Sequence, residues 1–218
     1  MRYANPGIVV AALLSAALIL LVPPVPVHAE PMEDVDYVVI DPPVLSGTGE
    51  RVEVIEFFHY GCAACYRFEP LLVEWLRRLP PDIAFRRVPA LRRMDWIPLT
   101  RLYFALEQAG ELPRLHGQVY RDVHDEDLNL GNSTEAVAWA GRHGLDRDAF
   151  ARVLESEQVS AEVQRARDAT VAYGIRATPT IVIDGRYLTG AGMVGSVEAL
   201  LPVVDELIAK VRAARRKQ

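Results

Sequence analysis

Apolar and polar positions change period several times along the chain, and each change marks an element. Val52 to Phe58 is rich in β-branched and aromatic residues and predicts a buried strand, while Ala63 to Leu79 carries apolar residues at helical spacing. Asp82 to Pro89 alternates enough to be a second core strand, so strand, helix and strand follow one another and a right-handed parallel crossover is the default. Between about Trp96 and Tyr173 the period becomes helical throughout. Helices are predicted over Ile97 to Gln108, Leu112 to His124, Thr134 to His143, Asp146 to Leu154 and Ser160 to Tyr173. Asn132 with Glu135 has the form of an N-terminal capping pair, and Gly110, Gly144 and Gly174 sit where helices stop. The β pattern then returns in Thr180 to Ile183 and Arg186 to Thr189, joined by Asp184-Gly185 as a two-residue hairpin turn. Ser196 to Arg215 predicts a final amphipathic helix, and Asp36 to Ile40 a short strand ended by Asp41-Pro42-Pro43.

The N-terminus follows a different logic. Arg2 precedes an apolar run from Ile8 to Val22 broken by Ser15 alone, then Pro23, Pro24 and Pro26, then Val27-His28-Ala29 with small residues at the cleavage positions. This predicts a secretory signal over residues 1–29, cleaved after Ala29, since the run is short of the ~20 residues of a membrane span. Removing 29 of the 218 residues leaves 189, enough for one core with an inserted lobe and too few ahead of the first long strand for a dimerisation domain. A monomer is expected. The formal net charge is −5, and the basic residues are scattered apart from the tail Arg212 to Lys217, which reads as a solvated helix end. No nucleic-acid partner is expected.

Both cysteines of the protein fall in one Cys-x-x-Cys directly after the strand Val52 to Phe58. Gly61 as a turn puts Cys62 at the start of a helix and Cys65 one turn inside it. Unpaired amide groups and the positive end of the dipole favour a thiolate at Cys62, which is assigned as the attacked and attacking sulfur, with Cys65 as the resolving one. Zinc lacks ligands here, because no further cysteine exists and His59, His116, His124 and His143 show no paired spacing; no metal is expected. Haem attachment wants a histidine where Tyr66 stands. A bridge this short removes little chain entropy, so stability is a poor reason for it. Glu56 is the odd residue of the strand: it is either an end-of-strand acid reaching water or, as preferred, a desolvated carboxyl beneath the cysteines that exchanges a proton with the inner thiol. His59, three residues before Cys62, is a candidate for the edge of the site. His116, His124 and His143 are expected at the surface or at helix ends, and Trp96 and Trp139 in the core. Thr178-Pro179 precedes the returning strand; the proline either marks the edge of the sheet or, as the sharper reading, forms a cis bond whose loop leaves backbone groups free for an extended peptide, and the sequence does not choose between the isomers.

Glu56-Phe57-Phe58, Cys62-Ala63-Ala64-Cys65-Tyr66, Phe68-Glu69 and Gly174-Ile175-Arg176-Ala177-Thr178-Pro179-Thr180 together resemble the DsbA family of thiol:disulfide interchange proteins, in the thioredoxin-like superfamily. The resemblance covers essentially the whole mature chain. It implies an α/β thioredoxin-like fold, built from residues 30–94 and 175–218, with an all-helical insertion at 95–174. It also implies a periplasmic dithiol oxidase that passes a Cys62–Cys65 disulfide to reduced exported polypeptides, needs no other cofactor, and is reoxidised by a quinone-linked membrane oxidase of the DsbB type. Glu56 matches the family's buried acid, Thr178 the residue before its cis-proline, and Pro179 that proline. The best-known member carries Pro-His between its cysteines. Ala63-Ala64 offers neither ring nor charge, which predicts a milder oxidant. A reductase or isomerase, an enzyme dedicated to one client, and a peptide-binding or chaperone module with a passive disulfide remain as alternatives.

Overall fold

A computed structural model describes residues 30–44 and 47–217; the predicted signal sequence lies outside the described residues. One five-stranded sheet in the order β1-β5-β4-β2-β3 organises the chain. Its strands are β1 (Val38–Val39), β2 (Val52–Phe58), β3 (Ile83–Pro89), β4 (Thr180–Ile183) and β5 (Tyr187–Gly190). β2 and β3 pair in parallel across α1 (Ala63–Leu76), as the crossover rule requires, whereas β4 is antiparallel to β2 and β5 to β4. At the β4–β5 turn Asp184 and Gly185 adopt φ of 55° and 63°. Glycine is needed there twice over, because a Cβ at Gly185 would lie 1.7 Å from the Val44 carbonyl oxygen.

Five helices separate β3 from β4: α2 (Ile97–Gln108), α3 (Leu112–His124), α4 (Ser133–Arg142), α5 (Arg147–Leu154) and α6 (Glu157–Ala172). The side chains of Asn132, Asp146 and Ser156 cap α4, α5 and α6, each accepting a backbone N–H three residues on. The Ser156 cap starts α6 three residues ahead of the predicted Ser160. Leu76 ends α1 three residues earlier than expected, just before Pro80-Pro81, and β1 is reduced to two residues. A short α7 (Ala191–Val194) precedes α8 (Leu200–Arg215), while Ser196 accepts from Ala199 N–H in the turn between them. Among the described residues no helix is long and apolar enough to cross a membrane.

The sheet divides two apolar cores. On one face Val52, Val54, Ile181 and Ile183 pack with Phe68, Leu72 and Trp75 of α1 and Leu200, Val204 and Leu207 of α8. On the other, Ile55, Phe57 and Val182 pack with the α2–α6 block, where Trp139 is fully buried and its indole N–H donates to Asp122 at 2.6 Å. β2 is therefore buried along its whole length, as an interior strand covered on both faces. Its two acids are buried with it, each met by a guanidinium from β3: Arg86 reaches Glu53 at 2.9 Å and Arg87 reaches Glu56 at 2.9 Å. The reading of Glu56 as an acid reaching water is excluded by its 1% exposure. Two arginines of the basic tail serve the fold, Arg212 pairing with Asp82 and Arg215 with Asp184, while Arg216 and Lys217 are exposed.

Candidate active site

Cys62 occupies the N-cap of α1, where a serine or aspartate ordinarily stands, and its sulfur accepts the Cys65 N–H at 3.4 Å. Both thiols are free. The Cys62 thiol is brought down to about 5 by hydrogen bonds: first from the Cys65 thiol, then from the Thr178 side chain and the backbone N–H groups of Cys65 and Ala64, all outweighing partial burial. Ala64 thus acts on the sulfur through its backbone N–H alone, and neither alanine adds a ring or a charge. Cys65 is fully buried, and burial, with the neighbouring Cys62 sulfur, pushes its thiol well up. The two sulfurs are separated in character: the outer one is a thiolate at neutral pH and the inner one a thiol.

Opposite Cys62 stands the loop before β4. The Thr178-Pro179 bond is cis, which the sequence left open and the family resemblance implied, and the Thr178 carbonyl oxygen stands 3.4 Å from the Cys62 sulfur, where it accepts the hydrogen of the protonated form. His59 lies beside the site without aiming at it. Its ring stacks on Trp96 at 4.1 Å, Nδ1 accepts the Gly61 N–H at 3.1 Å, and Nε2 lies 3.3 Å from the Trp96 carbonyl oxygen. Accepting at Nδ1 leaves Nε2 as the donor, a neutral tautomer consistent with burial that lowers His59 to about 4. With its carbonyl taking the Cys62 N–H at 3.0 Å, His59 shapes the loop that presents Cys62. Trp96 is correspondingly half-buried, a partner of this loop more than a core residue.

Beneath the cysteines, Arg87 bonds Glu56 through Nε and both oxygens of Glu69 through Nη2 at 3.0 Å. Burial lifts Glu56 to about 7 against the pull of Arg87, because the guanidinium is shared with Glu69 and the Cys62 charge adds repulsion. An acid with that value beside a buried thiol can give or take its proton near neutral pH.

His116 corrects an expectation. It is 7% exposed, mid-helix in α3, with Nδ1 2.8 Å from the Tyr60 hydroxyl and Nε2 3.5 Å from Glu69. His124 and His143 do stand at helix ends; His124 Nε2 also holds the Tyr60 carbonyl at 2.8 Å. Arg87 went unremarked in the sequence, although two consecutive arginines inside an apolar strand cannot both reach water and the acids of β2 alternate to meet them.

Comparison with known proteins gives this arrangement its place. Residues 83–201 match the DSBA-like thioredoxin domain, a span of more than half the chain. The chain belongs to this family. The thiol:disulfide interchange protein DsbA of Azotobacter vinelandii is 36% identical over 165 residues, covering 76% of this chain and 77% of that protein. DsbA of Bordetella pertussis is 37% identical over 177 residues, covering 81% and 84%. The crystal structure of Pseudomonas aeruginosa DsbA superposes with a TM-score of 0.81 at 32% identity, covering 85% of this chain and 96% of that one. A DsbA-type thioredoxin fold and thiol:disulfide oxidoreductase activity follow for this protein. Among the described residues no group of three or more metal-binding side chains is present.

Proposed function

We propose that the protein oxidises reduced polypeptides in the periplasm, through Cys62 and Cys65. The supporting observation is the contrast between the two sulfurs: Cys62 near 5 at a helix start, Cys65 buried and held as a thiol. A substrate thiolate attacks Cys62 of the Cys62–Cys65 disulfide, the sulfur–sulfur bond breaks, and Cys65 leaves with the electron pair and takes a proton from Glu56. A second substrate thiolate then attacks the substrate sulfur of the mixed disulfide and releases Cys62 as a stabilised thiolate. The substrate loses two electrons and gains a disulfide. A quinone-linked membrane oxidase of the DsbB type restores the enzyme's disulfide, which is its own redox group. In this reading Thr178 and Pro179 present backbone to the client and His59 holds the Cys62 loop. Residues 30–94 and 175–218 carry the chemistry, residues 95–174 form the insertion, residues 1–29 are the cleaved export signal, and the protein works as a monomer.

The reduction potential tests the direction of electron flow. Thioredoxin, with a cysteine near 7, sits at about −270 mV, and DsbA, with one near 3.5, at about −120 mV. A cysteine at about 5 places this protein at roughly −190 mV on that scale. Equilibration with glutathione, read by Trp fluorescence or alkylation, measures it. A value at or below that of thioredoxin defeats the oxidase reading in favour of a reductase. Oxidative refolding of a reduced client, run beside insulin reduction, gives the same decision from activity.

A further inference from the structure

One imidazole ties the loop between β2 and α1 to the helical block. Nδ1 of His59 accepts the Gly61 N–H at 3.1 Å, and Nε2 lies 3.3 Å from the Trp96 carbonyl oxygen. An amide N–H only donates and a carbonyl only accepts, so both contacts require the same neutral ring with its hydrogen on Nε2. The contact at Nδ1 copies the turn that an asparagine or aspartate side chain makes with the amide two residues ahead. Trp96 fixes the other end. Its indole lies flat on the imidazole, 4.1 Å between centroids and 14° between planes, and its carbonyl also accepts the Thr100 hydroxyl at 3.0 Å. His59 is buried, and a Cβ at Gly61 would stand 3.2 Å from two of its ring atoms. Gly61 has no positive φ, so what glycine supplies there is room for the ring.

We infer that Trp96 and His59 are a positioning pair for disulfide exchange: the indole fixes the imidazole, the imidazole fixes the Gly61 amide, and the turn so formed sets the Cys62 sulfur at the N-cap of α1. The inference rests on the role given to Cys62 above and adds a residue from the first turn of the helical block to the groups that serve it. The turn closes on Cys62 itself, whose N–H bonds the His59 carbonyl at 3.0 Å. The sulfur in turn accepts the Cys65 N–H across 3.4 Å, a long contact that a small rotation of the N-cap residue removes. His124 is the other hold on the loop, its Nε2 taking the Tyr60 carbonyl at 2.8 Å, and it leaves the Gly61 amide untouched. The charged or titratable neighbours of the His59 ring are Asp95 and His124. Burial keeps that ring neutral down to about 4, so the pair is in place at the pH where Cys62 ionises.

Alkylation of Cys62 against pH in the reduced protein tests this apart from turnover. His59→Phe keeps the stack and loses both ring hydrogen bonds; the Cys62 midpoint is expected to rise from about 5 by about one pH unit. The disulfide becomes a weaker oxidant with it, by about tenfold in the equilibrium with glutathione, or about 30 mV toward thioredoxin. His59→Asn, which can still accept from the Gly61 N–H, returns most of the shift. Trp96→Leu frees the ring and moves the midpoint the same way by less. The double variant Trp96→Leu, His59→Phe is no further from wild type than His59→Phe alone, because the indole acts through the imidazole. A folded His59→Phe protein with an unmoved midpoint overturns the proposal, since His124 and the helix would then suffice to place the sulfur. An asparagine variant no closer to wild type than phenylalanine overturns it too, as does a double variant in which the two shifts add. If His59→Phe does not fold, the Trp96→Leu midpoint decides in the same way. A pair that only supports the fold would lower the urea midpoint and leave the Cys62 titration and the potential where they are. Failure of the Cys62 and Cys65 assignment shows instead in the wild type, as client oxidation that does not depend on Cys62.

Discussion

Replacing Cys62 with serine is expected to reduce client oxidation and insulin reduction to the uncatalysed rate. A serine oxygen neither forms the disulfide nor leaves as a stabilised anion, and the one remaining cysteine, Cys65, is fully buried and held as a thiol. Cys65→Ser has a different consequence, because Cys62 remains and nothing inside the protein displaces a bound client. That variant, equilibrated with an oxidised peptide, should accumulate a mixed disulfide visible as a mass shift. A passive peptide-binding module predicts no difference between wild type and either variant. Alkylation of Cys62 in the reduced protein should rise with pH to a half-maximal rate near 5. A midpoint near 9, its ordinary value, removes the basis for an oxidising disulfide. The same ionisation links to stability. Because the folded value is depressed, its contribution to the reduced form is present above the unfolded value and is lost as pH falls through about 5. Urea unfolding of both redox forms should show the balance moving against the reduced one between about pH 9 and pH 5.

Arg87→Met should be the most destabilising substitution in the site, costing about 3–5 kcal/mol, since it leaves Glu56 and Glu69 buried without their shared counter-charge. The deficit should grow with pH. Glu56 is already raised from 4.5 to about 7, so what its protonation contributes to the fold is complete below the unfolded value and lost as pH rises through the folded one. Without Arg87 that folded value climbs further, and the penalty for an ionised fold widens from about pH 4.5 upward. Adding Glu56→Gln to Arg87→Met should return part of the loss at pH 8 and little at pH 5. Equal costs at both pH values would mean that packing, and not charge, is what Arg87 supplies.

The strands and helices were readable one element at a time because their causes are local. Val52 to Phe58, Ile97 to Gln108, Leu112 to His124 and Thr180 to Ile183 form at their predicted bounds, since burial period and turn residues act over a few positions. Where the reading slipped, the deciding contact was non-local or the signal subtle: β1 is cut to two residues by what β5 offers it, and α6 begins at a serine cap that helical periodicity does not reveal.

The chemistry divides along the same line. Cys-x-x-Cys at a helix start determined, from sequence alone, that an ionisable sulfur would stand one turn from a buried one, because a helix dipole and its free N–H groups are properties of a short segment. Whether Glu56 met water or a guanidinium was decided only when β2 became an interior strand beside β3, with Arg87 in register. The burial of His116 was decided later still, by α3 closing over α1 and bringing a ring to an acid 47 positions earlier in the chain. Desolvation is a property of what covers a group, and chain order says little about which distant segments provide the cover.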